Sequence, residues 1–155
     1  MADIKYADLE QGSTATPFST FFWAAFKDDW TTAEAQIADD IEWDMMSNNQ
    51  IRKGKEDVLP FLRASKYASA KEPIPILNRA NGDWGVWEYW NVGTLDAGVL
   101  EFIKQSKWPF PKDTDKLIGQ TYKVPVAFIY HINDKGQIDL LREYLDVGSV
   151  VSQFK

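Results

Sequence analysis

The feature that most constrains the fold is a pair of β-type segments in the last third of the chain. The first covers residues 119–130, the turn sequence Asn133-Asp134-Lys135-Gly136 follows, and the second covers residues 137–146. Asn, Asp and Gly suit the backbone of a tight turn, and both flanking runs are long enough to pair. The sequence therefore predicts a β-hairpin in this part of the chain.

The second strand of this hairpin carries an acidic residue among aliphatic ones. Leu141, Glu143 and Leu145 share one face, because side chains alternate along a strand. A polar group in such a wall costs roughly 2–7 kcal/mol unless it is bonded or used, and desolvation suits a carboxyl group to general acid or base catalysis. Two alternatives stay open. Glu143 could pair with an arginine or a backbone donor and only hold the sheet together, or it could face solvent while Arg142 and Tyr144 face inward.

The composition argues against several classes of function. The chain has 155 residues, enough for one domain with a substantial core. Its net charge of −6 and pI of about 4.8 oppose binding to nucleic acid or to anionic membranes, since both need clustered Lys and Arg. It contains no cysteine, which excludes disulfides, thiolate catalysis and zinc–thiolate sites.

No cofactor and no metal are predicted. His131 is the single histidine, and no run of carboxylates has the spacing of a calcium loop. The sequence has neither a glycine-rich phosphate loop nor a Gly-x-Ser-x-Gly elbow, so nucleotide and serine hydrolase sites are not expected. It also shows no signal segment and no apolar run near the ~20 residues that span a bilayer, so a cytoplasmic protein is expected.

Periodicity predicts helices that alternate with strands along the chain. Thr31 to Glu34 form a capping-box pattern for a second helix, and Pro60 would either delay or kink the third. The predicted helices cover 17–28, 31–38, 55–69 and 99–105, and the predicted strands cover 40–46, 73–81, 84–95, 119–130 and 137–146. This order gives an α+β fold in which a curved, mostly antiparallel sheet wraps round N-terminal helices as a cone with one apolar pocket. Residues 1–15 are expected to form a loosely held arm of this single domain.

The inward faces of the long strands supply the predicted pocket. On strand 84–95 we prefer as the inner face the one that carries Tyr89 and Asn91, which with Glu143 would form a polar cluster that orients a ligand oxygen. Asp44, near the mouth of the cone, is a possible second acid, and His131 points out of the cone. The predicted substrate-binding residues are Trp43, Met45, Trp87, Val124, Val126, Phe128, Tyr130, Leu145 and Trp108.

Four segments occur in a characteristic order, and they are Phe21-Phe22-Trp23-Ala-Ala-Phe26 with Asp28-Asp29-Trp30, Ala38-Asp39-Asp40-Ile41-Glu42-Trp43, Arg52-Lys53-Gly54-Lys55-Glu56-Asp57-Val58, and Leu-Arg-Glu-Tyr-Leu-Asp-Val-Gly at 141–148. In this order they resemble the SnoaL-like and limonene-epoxide-hydrolase-like proteins. These belong to a wider superfamily that includes nuclear transport factor 2, ketosteroid isomerase and scytalone dehydratase.

The resemblance implies acid–base chemistry without a cofactor on a hydrophobic ligand. Glu143 falls where the epoxide hydrolases place an aspartate in their closing strand, but Tyr89-x-Asn91 stands where they have Arg-x-Asp, so their hydrolytic relay is not expected. The superfamily commonly dimerises through the outer face of the sheet. The resemblance therefore implies a homodimer whose interface includes Glu88, Trp90, His131 and Tyr144.

The function expected from these observations is that of an isomerase, cyclase or hydrolase that moves protons on a hydrophobic, oxygenated small molecule. Glu143 would act as base or acid, and the 96–118 insertion, with Trp108, would cover the mouth or join a dimer contact. The alternative is a non-catalytic small-molecule binder or dimeric scaffold of the same fold. A buried carboxyl group with a raised pKa favours the enzyme, and a pocket filled by its own side chains favours the alternative.

Overall fold

The computed structural model describes residues 17–67, 73–105 and 114–154, which form helices on one side of a single sheet. The helices are α1 (Pro17–Phe26), α2 (Trp30–Ala35), α3 (Lys55–Tyr67), α4 (Ala97–Gln105), a 3₁₀ turn (Thr114–Leu117) and α5 (Val147–Ser152). The strands are β1 (Ile37–Met45), β2 (Gln50–Lys53), β3 (Ile74–Asn81), β4 (Trp84–Thr94), β5 (Thr121–Ile132) and β6 (Ile138–Leu145). The predicted α+β class is confirmed.

The six strands pair in the order β2-β1-β6-β5-β4-β3. Every pair is antiparallel except β1 with β6, so the sheet is mostly antiparallel, as predicted. The closing hairpin of β5 and β6 lies in the middle of the sheet, and β3, which contains Pro75, lies at an edge. A proline lacks the N–H that a central strand needs, which explains the edge position.

Strand β2 was missed by the sequence analysis. It is four residues long and follows a turn in which Asn49 has a φ of 55°. Arg52 and Lys53 give it no apolar alternation, and Ile51 is exposed. Pairing with β1, rather than an apolar face of its own, holds this strand in the sheet.

The predicted limits of the second helix were wrong at both ends. Asp29, not Thr31, is its N-cap and accepts a hydrogen bond from the backbone N–H of Thr32 at 3.1 Å. The helix ends at Ala35, and Ile37 already pairs with Ile138 of β6. Strand pairing thus overrides the helical pattern over 36–38.

Helix α3 begins at Lys55 and contains Pro60, so the alternative in which Pro60 delays the start of this helix is wrong. Helix α4 lies within the segment that was predicted as an insertion, and its Val99, Leu100 and Ile103 are buried in the core. Trp108 lies outside the described residues. The role of the insertion as a lid or dimer contact stays a prediction.

One face of the sheet, called the inner face below, packs against α1 through aromatic rings. Phe18 of α1 is fully buried and stacks on Tyr130 with ring centroids 4.6 Å apart. Tyr130 in turn covers Gly85, its cross-strand partner, where a Cβ atom would meet the tyrosine ring at 2.1 Å. The other face of the sheet is called the outer face. No helix within the described ranges is long and apolar enough to cross a membrane.

Candidate functional site

The strand register assembles the candidate site on the inner face. Glu143 of β6 pairs with Phe128 of β5 on one side and with Met45 of β1 on the other. Phe128 pairs in turn with Trp87 of β4. These four residues therefore form one row across the sheet, because paired residues of neighbouring strands point to the same face.

Glu143 lies on the inner face and is partly buried. Its neighbours Arg142 and Tyr144 are exposed on the opposite face, so the alternative in which they face inward is wrong. Within the described ranges Glu143 forms no ion pair with a basic residue, so pairing with an arginine is not observed either. Burial raises the pKa of the Glu143 carboxyl from 4.5 to about 7.

The indole N–H of Trp43 lies near this carboxyl group and partly offsets the effect of burial by lowering its pKa. The contact falls short of hydrogen-bond geometry, and the Nε1 atom of Trp43 has no partner among the described residues. The carboxyl group is therefore close to half-ionised near neutral pH, a state in which it can both accept and return a proton.

Tyr89 is the polar side chain in the row of inner-face residues next to that of Glu143. It is buried and stacks on Phe128 with centroids 6.3 Å apart and rings almost parallel. Burial raises the pKa of Tyr89 far above its usual value, and the charges of Glu143 and Tyr122 raise it further. The hydroxyl of Tyr89 therefore stays protonated and is available as a hydrogen-bond donor.

Asn91 is on the inner face but is not beside Glu143. It pairs with Val124, two rows from the row of Glu143, which corresponds to about 13 Å along the strand. Its Oδ1 atom is buried without a hydrogen-bond partner among the described residues. The structure thus brings Glu143 and Tyr89 into adjacent rows and leaves Asn91 at the far end of the face.

Asp44 does not belong to this cluster. Trp43 and Met45 are buried on the inner face, so Asp44 between them points to the outer face. There its Oδ2 atom lies 3.6 Å from the Nε atom of Arg142, its cross-strand partner. The prediction of Asp44 as a second acid is therefore wrong, because strand alternation separates it from the pocket.

The residues predicted for a dimer interface lie on the outer face. His131 is there, as its alternation with Tyr130 predicts, and its Nδ1 atom is 2.6 Å from Oδ1 of Asp139. Its ring also contacts exposed Trp84, with centroids 4.8 Å apart. The dimer itself stays a prediction, with its proposed residues Glu88, Trp90, His131 and Tyr144.

Two tryptophans supply polar groups that the sequence analysis treated only as apolar lining. The Nε1 atoms of Trp43 and Trp87 are both buried without a hydrogen-bond partner among the described residues. On edge strand β3, Asn78 pairs with Trp87, and its Oδ1 atom is also buried without a hydrogen-bond partner among the described residues. Buried polar atoms are nearly always paired, so these three atoms are candidate donors and acceptors for a ligand on the inner face. The register of β3, which sequence alone does not give, was needed to find Asn78.

The predicted lining residues are placed as follows. Those that the structure shows buried on the inner face are Trp43, Met45, Trp87, Val124, Val126, Phe128 and Tyr130. Leu145 is partly buried on the same face, opposite Val126.

An apolar cavity of about 80 Å³ lies between helices α1 to α3 and the sheet. Among the described residues, its polar groups are the hydroxyl of Tyr89 and the indole N–H of Trp30, and Glu143 is not one of its lining residues. It is lined by Phe18, Phe21, Phe22, Ala25, Phe26, Trp30, Leu62, Pro73, Tyr89 and Phe128. An empty cavity of about 150 Å³ is known to hold benzene, so this one admits a larger ligand only if side chains move. Phe128 is the shared boundary, because it lines the cavity and also pairs with Glu143.

No group of three or more His, Asp or Glu side chains with the spacing of a metal site occurs in the described part of the chain. The chemistry that the site offers is that of one carboxyl group with a raised pKa and one neutral phenol on a mostly apolar surface.

Comparison with known proteins shows the fold. No protein-family model matches the sequence, and no curated protein matches it. Among solved structures, a candidate polyketide cyclase from Xanthomonas campestris has a TM-score of 0.69 at 21% identity, over 90% of this chain and 94% of its own. An epoxide hydrolase of the limonene-epoxide-hydrolase-like kind from M. tuberculosis has a TM-score of 0.60 at 18% identity, over 88% and 85%.

A protein of ketosteroid isomerase-like fold from Catenulispora acidiphila, solved with trimethylamine, has a TM-score of 0.64 at 14% identity, over 91% of this chain and 93% of its own. At these identities the likeness concerns the fold. The resemblance found in the sequence is confirmed at that level, and the chain has the cone fold of the nuclear transport factor 2-like and ketosteroid isomerase-like proteins.

Proposed function

We propose that this protein is an acid–base enzyme that needs no cofactor and moves a proton on a hydrophobic, oxygenated small molecule. The observation that carries the proposal is Glu143, a carboxyl group on the inner face of the sheet without an ion-pair partner in the described part of the chain. A group in this environment has little structural value and the pKa that proton transfer at neutral pH requires. The solved structures with this fold include a candidate polyketide cyclase and an epoxide hydrolase, which is consistent with the proposal.

The proposed chemistry divides two roles between Glu143 and Tyr89. The ionised carboxylate of Glu143 takes a proton from a carbon next to a carbonyl group, and the electron pair of the C–H bond moves toward the carbonyl oxygen. The neutral hydroxyl of Tyr89 donates a hydrogen bond to that oxygen as its negative charge grows. Glu143 then returns the proton to another carbon, so an isomer leaves and the enzyme is restored.

The substrate must fit a site that is mostly apolar. Phe128 lies between Glu143 and Tyr89 in the register and would contact the flat face of a ligand that reaches both. The 80 Å³ cavity is smaller than such a ligand, so we propose that aromatic side chains of α1 rotate away when it binds. Phe22, whose ring is 4.9 Å from those of both Trp87 and Tyr89, is the side chain that must move first.

The test is a set of assays on cyclic unsaturated ketones of increasing size, which report isomerisation by absorbance and proton exchange by deuterium incorporation. We expect Glu143→Gln to lower the rate by 10²- to 10⁴-fold, the range ascribed to a positioned general base. The wild-type rate is expected to rise with pH to a plateau, with a midpoint near the Glu143 pKa of about 7.

The matched control for this assay is Asp44→Asn. It removes a carboxylate on the strand next to Glu143 but on the outer face, and it should leave the rate within a factor of about two. An equal loss in both variants, or turnover that survives Glu143→Gln, would contradict the proposed role of Glu143.

A second function, that of a non-catalytic binder of small apolar molecules, is favoured by one observation. The 80 Å³ cavity is lined by aromatic and aliphatic side chains and by Tyr89, and Glu143 does not line it. A binder would take up an apolar fluorescent probe with equal affinity in wild type and Glu143→Gln and would turn over none of the ketones. Phe22→Ala should then strengthen binding by enlarging the cavity.

A further inference from the structure

We infer that Trp43 is a positioning residue for Glu143: its indole N–H donates to the ionised carboxylate, and Phe61 and Arg52 hold the indole in place for this. The inference rests on the proposed function only in that it concerns the same carboxyl group. It adds a residue whose part in the chemistry neither the sequence pattern nor the fold comparison assigns.

The position of Trp43 is the first observation. Trp43 of β1 pairs with Leu141 of β6, and the next inward residues of the two strands, Met45 and Glu143, pair with each other. The indole therefore lies diagonally across from the carboxyl group on the same face, within reach of a long side chain. Trp43 is 2% exposed, so its N–H cannot turn to bulk water.

The state of the indole N–H is the second observation. It has no partner in hydrogen-bond geometry among the described residues, although it lies near enough to Glu143 to affect the carboxyl group. A buried N–H is rarely left without an acceptor, and a carboxylate attracts such a donor more strongly when ionised than when protonated. Loss of the Glu143 proton is thus the event that closes this contact.

The packing around Trp43 is the third observation. The ring of Phe61 from α3 meets the indole edge-on, with centroids 5.4 Å apart. The guanidinium of Arg52 lies 3.9 Å above the Phe61 ring, and its Nη1 atom is 2.7 Å from Oδ1 of Asp57. Arg52 is also the cross-strand partner of Trp43. A stack from Asp57 through Arg52 and Phe61 to Trp43 therefore fixes the indole from the side of α3.

The other groups that face Glu143 leave this role open. Its partners on β1 and β5 are Met45 and Phe128, which carry no charge. On β4 the titratable neighbour is Tyr89, whose hydroxyl stays neutral. Arg52, the cross-strand partner of Trp43, is engaged with Asp57 through its Nη1 atom, and its buried Nε atom has no hydrogen-bond partner among the described residues. The indole of Trp43 and the hydroxyl of Tyr89 are thus the neutral donors nearest in register to Glu143 within the described residues, and the indole N–H is the one that is buried without a partner.

The inference is tested by following Glu143 directly, without a substrate. The protein is labelled with ¹³C at the glutamate side-chain carboxyl, and the Glu143 resonance, identified by its loss in Glu143→Gln, is titrated in wild type and in Trp43→Phe. The titration midpoint should rise by about one pH unit in Trp43→Phe, because one hydrogen bond to a charged group is lost. Phe61→Leu, which keeps the indole but loosens it, should give a smaller rise.

The matched control is Trp87→Phe. Trp87 is also a buried inner-face tryptophan with an unpartnered Nε1 atom among the described residues, but it lies two strands from Glu143, about 10 Å away. It should leave the midpoint unchanged. An unchanged midpoint in a folded Trp43→Phe, or an equal change in both variants, would overturn the inference.

A second measurement covers the case in which Trp43→Phe fails to fold. The indole N–H resonance of Trp43 in ¹⁵N-labelled wild type should move downfield with the midpoint of Glu143 and should be flat in Glu143→Gln. A flat resonance in wild type would overturn the inference. A Glu143 midpoint near 4.5 in wild type would instead remove the basis of the proposed function, so the two failures are distinguishable.

Discussion

The two faces of the sheet treat carboxyl groups in opposite ways. On the outer face, Asp44 lies beside Arg142 and Asp139 lies beside His131. On the inner face, Glu143 is on the same strand as Arg142, one residue further on, and has no basic partner within the described residues. Neighbouring residues of β6 therefore lie in opposite environments. Arg142 forms an ion pair with Asp44 on the outer face, whereas burial disfavours the charge of Glu143 on the inner face.

This difference separates stability from function. Exposed ion pairs contribute little to folding, typically 0–1 kcal/mol, because water already solvates both partners. A carboxyl group on an apolar face lowers stability when it is ionised, so folding alone gives no reason to keep it there. The outer carboxylates can be explained by solubility and local pairing, whereas Glu143 calls for a chemical explanation.

The largest expected effect concerns the packing that surrounds the inner face. In Gly85→Ala the new methyl group would meet the Tyr130 ring at 2.1 Å, and Tyr130 is itself stacked on Phe18 and cannot move aside. We expect a loss of about 3 kcal/mol in the free energy of unfolding, at the upper end for overpacked cores. Urea denaturation followed by far-UV circular dichroism measures it.

The control is the same substitution at Gly98, an exposed position in α4. There a Cβ atom meets only the Asp96 side chain at 3.3 Å, and alanine favours the helix, so the change should stay within about 1 kcal/mol of zero. A small loss in Gly85→Ala would show that the inner face can rearrange, which would also make a larger ligand cavity easier to form.

The next effect concerns the pH dependence of stability. Because folding raises the Glu143 pKa from 4.5 to about 7, the folded state binds this proton more tightly than the unfolded state. Its stabilising contribution is complete below pH 4.5 and is lost as the pH rises through 7. The full shift corresponds to about 3 kcal/mol, and we expect about 2 kcal/mol because the side chain is partly exposed.

Comparing Glu143→Gln with wild type separates the contribution of Glu143 to the free energy of unfolding from the contributions of all other titrating groups. The variant should gain stability relative to wild type between pH 5 and pH 8, as measured by urea denaturation at each pH. A constant difference across this range would mean that Glu143 titrates normally, and the contrast between the two faces would then disappear.

The fold could be predicted from the sequence to the extent that its strands are long and patterned. Strands β4 and β5 each alternate over more than eight residues, β6 alternates from Leu141 to Leu145, and the tight turn before β6 sets the hairpin of β5 with β6. Strand β2 could not be found in this way, because it is short and exposed and is defined by its partner. The start of β1 was also missed, because pairing with Ile138 draws residues 37 and 38 out of the predicted helix.

The site could be predicted in part. Alternation fixed which side chains of each strand share a face, but it left open which face is the inner one, and the structure places Glu143 and Tyr89 on the preferred face. Alternation also predicts that Asp44 points away from the pocket, because its neighbours Trp43 and Met45 are large and apolar. The expected position of Asp44 at the mouth of the cone was nevertheless given more weight. The rows that bring Trp43 close to Glu143 and put Asn91 far away depend on register between strands, which a single sequence does not specify.

The smallest expected effect is on the outer face and completes the comparison. Asp44→Asn removes one partner of a pair whose atoms are 3.6 Å apart and whose side chains are 45% exposed at Arg142 and 20% exposed at Asp44. The free energy of unfolding should fall by less than about 1 kcal/mol, and 0.5 M NaCl should abolish most of the difference, because salt screens exposed charges. Urea denaturation at low and high salt measures both values. If Asp44→Asn cost as much as Gly85→Ala, or if its effect were independent of salt, the outer carboxylates would contribute to stability. The difference between the two faces would then no longer support a function for Glu143.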